Sequence, residues 1–231
     1  MKKIIFISLF ILPVLANKLF AQDSAYIHPD TNSGGWVKLF DDKLSNGIYQ
    51  AGVWIIDNSG VITATKDTCL WSKKEYNDFV LDLDFKNAEG TNSGVIVHAS
   101  NIEEWIPHSV EIQIADDYAS EWRKSPANWQ CAAVFGHQAV TKRTVKKPGE
   151  WNHYTIICRG RKIWIVLNGE LVNTCDMSLY TSAKTNPDGT EIPKWLSNPM
   201  STLPLRGHIG FQGKHAGAPI YFRNIKILEL K

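Results

Sequence analysis

Phe79-Val80-Leu81-Asp82-Leu83-Asp84-Phe85 is the stretch on which the fold turns. Successive side chains of a β-strand point to opposite faces. Phe79, Leu81, Leu83 and Phe85 therefore make one apolar face, while Asp82 and Asp84 project from the other. The segment predicts a strand with one side in a core and the aspartates facing out. Similar signals recur on both sides of it. Val53–Ile56 and Val61–Thr65, separated by Asn58-Ser59-Gly60, read as a hairpin in which Gly supplies a positive φ. After a turn over Gly90–Gly94 comes a strand over Val95–Ala99. Tyr154–Arg159 and Lys162–Leu167 form a second hairpin across Gly160, and Asn168-Gly169 turns the chain into Glu170–Val172. His208–Gln212 and Ile220–Leu230 complete the set. A weak helical period is confined to Asp116–Arg123, and residues 176–206, rich in Pro, Asn and Ser, read as a long irregular excursion. Excursions of this length in compact domains are usually functional or mobile. Short strands with turn signals every ten residues or so predict an all-β fold, a two-sheet antiparallel β-sandwich of jelly-roll type.

The 231-residue chain opens with Met-Lys-Lys, an apolar run over Ile4–Leu15 and Ala21 at a plausible cleavage point. That pattern predicts a signal peptide over residues 1–21 and an exported, periplasmic or secreted protein. The run is shorter than the roughly 20 residues needed to span a bilayer, and no cysteine follows it to carry a lipid anchor. A lead-in over 22–34 and one domain over 35–231 are expected. The net charge of +2, with no basic stripe, argues against a nucleic-acid partner. Four cysteines, Cys69, Cys131, Cys158 and Cys175, permit three pairings. None has Cys-x-x-Cys spacing, and Cys158 falls in an apolar strand as a small core residue.

Nine tryptophans stand out more than the charge does. Trp164 sits within a strand pattern, whereas Trp105, Trp122, Trp129 and Trp195 fall in polar, loop-like segments, where a flat ring can stack on the C–H face of a sugar or fill a rim. In Val110-Glu111-Ile112-Gln113-Ile114-Ala115-Asp116, Glu111 and Gln113 share one strand face and Asp116 follows where the strand should end. Two polar groups and a carboxylate so placed can bind sugar hydroxyls or carry acid–base chemistry; they also suit a solvated strand face.

A series of short motifs adds to this. Gly35-Trp36-Val37-Lys38-Leu39-Phe40-Asp41, Asn92-Ser93-Gly94-Val95, Glu111-Ile112-Gln113-Ile114, Lys147-Pro148-Gly149-Glu150-Trp151-Asn152, Leu167-Asn168-Gly169 and Gly210-Phe211-Gln212 occur in that order, followed by Phe222-Arg223-Asn224-Ile225. The series resembles the 3-keto-disaccharide hydrolase domain family over about residues 35–230. The resemblance implies a concanavalin A-like lectin/glucanase jelly roll, and action on glycosides whose C3 hydroxyl has been oxidised to a ketone. Related glucanases carry Glu-x-Asp-x-x-Glu, where this chain has Glu111-x-Gln113-x-x-Asp116. Gln cannot replace the middle carboxylate, so direct retaining hydrolysis, which needs two carboxylates about 5–5.5 Å apart, is disfavoured.

Chemistry at a 3-keto sugar needs a base near neutral pH and a donor beside the ketone oxygen. Glu111 is the first candidate for the base or a metal ligand, Asp116 for a proton donor and His215 for a functional residue of a Gly-rich rim. The family resemblance places a histidine two positions after the glutamine; here Gly213 and Lys214 stand between Gln212 and His215. Gln113, Gln212, Trp105, His98 and Lys147 are candidate substrate-binding residues, His98 from the strand face it shares with Ile96. Glu150, Trp151, Asn152, Arg223 and Asn224 read as structural. The sequence assigns no cofactor; a divalent metal ion would stabilise an enediolate, and His98, Glu111 and His215 are the donors that would have to converge. The expected partner is a carbohydrate, with an oxidised glycoside as substrate. A lectin-like, non-catalytic carbohydrate-binding module is the alternative on this fold.

Overall fold

The computed structural model describes residues 34–230. The expected signal peptide (1–21) and most of the lead-in (22–34) lie outside the described residues. In chain order the strands begin with β1 (Val37–Lys38), β2 (Gly47–Ile48), β3 (Trp54–Ile56), β4 (Ile62–Ala64) and β5 (Leu70–Ser72). They continue with β6 (Phe79–Asn87), β7 (Asn92–Ala99), β8 (Val110–Ala115), β9 (Trp151–Arg159) and β10 (Lys162–Leu167). The last are β11 (Glu170–Asp176), β12 (His208–Phe211) and β13 (Ile220–Glu229), and one short helix, α1 (Ser120–Lys124), follows β8. One sheet has the order β11-β10-β9-β6-β13-β4-β3, with β1 also on β13; the other runs β2-β5-β12-β7-β8. Every pairing between these strands is antiparallel. The protein is a two-sheet jelly-roll sandwich.

The alternation that predicts β6 is what buries it. Phe79, Leu81, Leu83 and Phe85 are 0% exposed, packed between the sheets with Val95, Val97, Ile112, Ile114 and Phe211. Full burial of such a side chain contributes about 1.5–3 kcal/mol. Phe211 of β12 meets Phe222 of β13 edge-on at 5.0 Å, and the Tyr154 hydroxyl of β9 donates to the Gln113 carbonyl of β8 at 2.8 Å. These contacts tie one sheet to the other. Asp82 and Asp84 do face out, but not into water: Asp82 is only 2% exposed. His153 donates from Nε2 to Asp82 at 3.0 Å and from Nδ1 to Asp84 at 2.8 Å. Thr155 also donates to Asp82, and Arg223 and Asn224 donate to Asp84.

Three features bear on the site. β7 begins at Asn92, so residues 92–94, expected in a turn, lie in the sheet. β8 is the last strand of its sheet rather than a central one, but its outer edge is covered. The amides of Gln113, Ala132 and Phe135 bond the carbonyls of Ala133, Gln113 and Glu111, respectively, at 2.9–3.0 Å. Beyond Asp176, which ends β11, the excursion to residue 206 contains no strand and is fastened to the same loop. Asn186 donates to the Gly136 carbonyl at 3.0 Å, and a side chain at Gly136 would collide with Leu196.

Candidate active site

Glu111 and Gln113 project from the outer face of the five-stranded sheet, opposite Ile112 and Ile114, which enter the core. They open into a cavity of about 320 Å3 lined also by Asn92, Gln212 and His215. The floor beside them is bare because β7 carries glycine there. A Cβ at Gly94 would collide with the Glu111 carboxyl, so its side chain can lie flat across the neighbouring strand. Gly210 does the same for the Trp71 ring. Trp71, Ile96 and Ala99, with Cys69 and Trp105 against them, make an apolar shelf on this face. The Glu111 carboxylate has no hydrogen-bond partner among the described residues, and burial pushes its carboxyl up to about 8. Desolvation disfavours the charged form, with no donor nearby to offset it.

The other polar groups are held by partners of their own. The Gln113 amide donates to the Asn92 side chain at 3.0 Å. Gln212 is fixed through its backbone, its amide on the Gly94 carbonyl at 2.9 Å and its carbonyl on the Ser93 hydroxyl at 2.8 Å. His215 pairs with Asn92 as an isolated bridge, and its Nδ1–H donates to Asp67 at 2.6 Å. That bond fixes the ring and leaves Nε2 as the nitrogen able to exchange a proton. Aromatic walls complete the cavity: Trp105, Trp122, Trp129, Trp195 and Phe135. Trp129 meets Trp195 edge-on at 6.1 Å and Phe135 at 5.2 Å.

Of the residues proposed from sequence, the cavity gathers Glu111, Gln113, Gln212, His215 and Trp105, together with the three other loop tryptophans. It does not gather His98, Asp116 or Lys147. His98 has φ +56°, which breaks the alternation of β7 and turns the ring away from the side of Ile96. The ring is 0% exposed, bonded through Nδ1 to the Leu205 carbonyl and set against Phe79, so substrate has no route to it. Burial lowers its pKa to about 4 and keeps it neutral. Asp116 is buried with both carboxylate oxygens occupied by the amides of Gly90 and Tyr118; it braces a turn. Lys147 is an exposed charge in the turn before β9. With His98 in the core, the three donors suggested for a metal ion do not converge, and no group of three His, Cys, Asp or Glu suited to a metal occurs among the described residues. All four cysteines are free. The sequence argument missed Phe135, Asn92 as more than a motif residue, and Asp67. Phe135 and Asp67 come from irregular segments with no pattern to reveal them.

Residues 35–228 match the domain family described as 3-keto-alpha-glucoside-1,2-lyase-like. The chain belongs to that family. Membership makes it a carbohydrate-active domain, similar to glycosyl hydrolases. A crystal structure from Parabacteroides distasonis ATCC 8503, of a protein provisionally named a glycosyl hydrolase, is 49% identical with a TM-score of 0.82, covering 84% of this chain and 99% of that one. A second protein from the same organism, provisionally named in the same way, is 21% identical with a TM-score of 0.68, covering 85% and 95%, and shares the fold. Among curated proteins, none matches this lyase-like chain.

Proposed function

We propose that the chain is an exported enzyme that cleaves 3-keto-glycosides by taking the C2 proton and expelling the C1 substituent. The C3 carbonyl acidifies C2–H. Ionised Glu111 accepts that proton, and the C–H electron pair forms an enolate across C2, C3 and the ketone oxygen. As the enolate collapses, C1=C2 forms and the C1–O bond breaks, its pair leaving on the departing oxygen, which takes a proton. Water adding across C1=C2 then releases the free 3-keto sugar. The amides of Gln113 and Gln212 suit the sugar hydroxyls and ketone oxygen, and His215, steadied by Asp67, suits the leaving oxygen.

One observation carries this reading: Glu111 is a carboxyl without a protein hydrogen bond, weakened in acidity to about 8, in a cavity walled by tryptophan. Carboxylates with structural duties in this chain look different; Asp116 and Asp84 are saturated with donors. Among the described residues no second carboxylate lines the cavity to serve a retaining hydrolase. The aromatic walls and amides would also suit a non-catalytic glycan binder. A binder, however, gains nothing from an uncompensated carboxyl whose ionisation costs stability. The test is a 3-keto-glucoside carrying a chromogenic leaving group, given to the full chain. Release by the wild type that is abolished in Glu111→Gln is the expected result. Millimolar binding of intact glycans with no release would establish the binder instead.

A further inference from the structure

Taking the C2 proton places negative charge on the ketone oxygen, and a donor already aimed at that oxygen lowers the barrier. Among the described residues no Lys or Arg side chain lines the Glu111 cavity, so a polar side chain has to meet the charge. Apart from the tryptophan walls, four such side chains stand with Glu111, and each can be followed to its partner. His215 spends its Nδ1–H on Asp67, which leaves Nε2 for the departing oxygen. Gln113 spends one amide hydrogen on Asn92 Oδ1 at 3.0 Å. Gln212 is anchored through its backbone alone, and ordering a long amide side chain costs rotamer entropy. Asn92 remains. Its oxygen is taken by Gln113, while its Nδ2 hydrogens meet no acceptor among the described residues.

The position of Asn92 is fixed as well. In β7 it lies between Ala115 of β8 on one side and His215 on the other, so its backbone is held at both edges. Glu111 is paired with Ile96 and Gln113 with Gly94, yet both side chains lean along β7 toward Asn92. The Glu111 carboxyl lies over Gly94, and the Gln113 amide reaches Asn92. Residues two apart on a strand share a face at a spacing of about 6.6 Å. A carboxyl over Gly94 and an amide at Asn92 therefore stand one such step apart. That span suits a base on the hydrogen of C2 and a donor on the oxygen of C3, since C2 and C3 are bonded neighbours.

Resting on the function proposed above, we infer that Asn92 is a catalytic residue whose Nδ2–H donates to the C3 oxygen, with Gln113 as the positioning residue that orients it. By holding Oδ1, Gln113 turns the nitrogen of the Asn92 amide, not the oxygen, toward the sugar. As the C2–H pair moves into the C2–C3 bond, the carbonyl π pair moves onto oxygen. The Asn92 hydrogen bond strengthens at that moment and gives up no proton, because Glu111 has taken the one from C2. Gln113 and Gln212 are left to the sugar hydroxyls.

Asn92→Asp separates the two roles open to this residue. An aspartate still accepts the Gln113 N–H, so a residue that only holds Gln113 would keep its rate. As a donor to the enolate it fails, since a carboxylate donates nothing and repels the charge. Release from a 3-keto-glucoside with a chromogenic leaving group is followed from pH 6 to pH 10. Any change in Glu111 acidity then displaces the profile, while loss of the donor lowers its plateau. The plateau kcat should fall at least tenfold, and by about 100-fold on the usual worth of one such donor, with circular dichroism unchanged. A smaller fall assigns Asn92 to holding Gln113 and overturns the inference, with the function left standing. Should Asn92→Asp fail to fold, Asn92→Leu and Gln113→Leu decide. The first should lower kcat at least tenfold more than the second, and a smaller difference overturns the inference. No release by the wild type overturns the function itself.

Discussion

Replacing Glu111 with Gln should make the protein more stable at neutral and alkaline pH but not at acid pH. The amide has the shape of the protonated acid but cannot ionise. In the folded chain the carboxyl titrates near 8 against an ordinary value of 4.5. The folded state therefore holds a proton that the unfolded chain releases between those two values. A carboxyl raised in this way leaves stability intact below about 4.5, removes it progressively between 4.5 and 8, and adds no further loss above that. At 1.36 kcal/mol per tenfold change in proton affinity, the wild type loses about 4–5 kcal/mol by pH 8.5 and almost nothing at pH 4. Groups common to both chains cancel in the comparison. Urea unfolding of wild type and Glu111→Gln at pH 4 and pH 8.5 measures the difference directly. A midpoint gain for the variant at pH 8.5 that disappears at pH 4 is expected. A gain that is the same at both pH values would refute the reasoning, because the carboxyl would then have an ordinary acidity and no claim to act as a base near neutrality.

The same carboxyl predicts that kcat/KM on a 3-keto-glycoside rises with pH through about 8, since only the ionised form accepts the C2 proton. Gly94→Ala should keep the fold, by circular dichroism, and lower kcat/KM at least about tenfold, because the added methyl displaces the Glu111 carboxyl. The rise with pH should also move toward acid as that carboxyl meets water. Asp67→Asn should cost about 100-fold in kcat by releasing His215 from its carboxylate, with KM little changed in steady-state assays. On the opposite sheet, hydrogen bonds to Asp82 and Asp84 raise His153 to about 8. Its contribution is full below about 6.5 and fades as pH rises through 8. His153→Ala should cost about 1 kcal/mol at pH 6, reduced by solvent screening of a ring 42% exposed, and less at pH 9 in urea unfolding.

How far the sequence disclosed this arrangement depends on the periodicity of each segment. β6, β9, β10 and β13 are long enough to show their period of two, and the structure places them close to the expected boundaries. β1, β2 and β5 have two or three residues each and owe their existence to neighbours in space. At the site, alternation in β8 puts Glu111 and Gln113 on one face, and the loop tryptophans converge there too. The same rule fails at His98, where a left-handed backbone residue reverses the side-chain direction. It fails again at Asp82, which points outward yet is covered by side chains from β9 and β13. Asp67 could not be foreseen as a partner of His215, because 148 residues separate the two and no strand pattern joins them.

The loop bonded along the free side of β8 does two jobs. By occupying the amide of Gln113 and the carbonyls of Glu111 and Gln113, it denies those groups to a strand from another molecule. The segment that brings Phe135 to the cavity therefore also guards against edge-to-edge pairing with another molecule. Shortening it to enlarge the cavity would trade a wider choice of sugars for a tendency to form fibres.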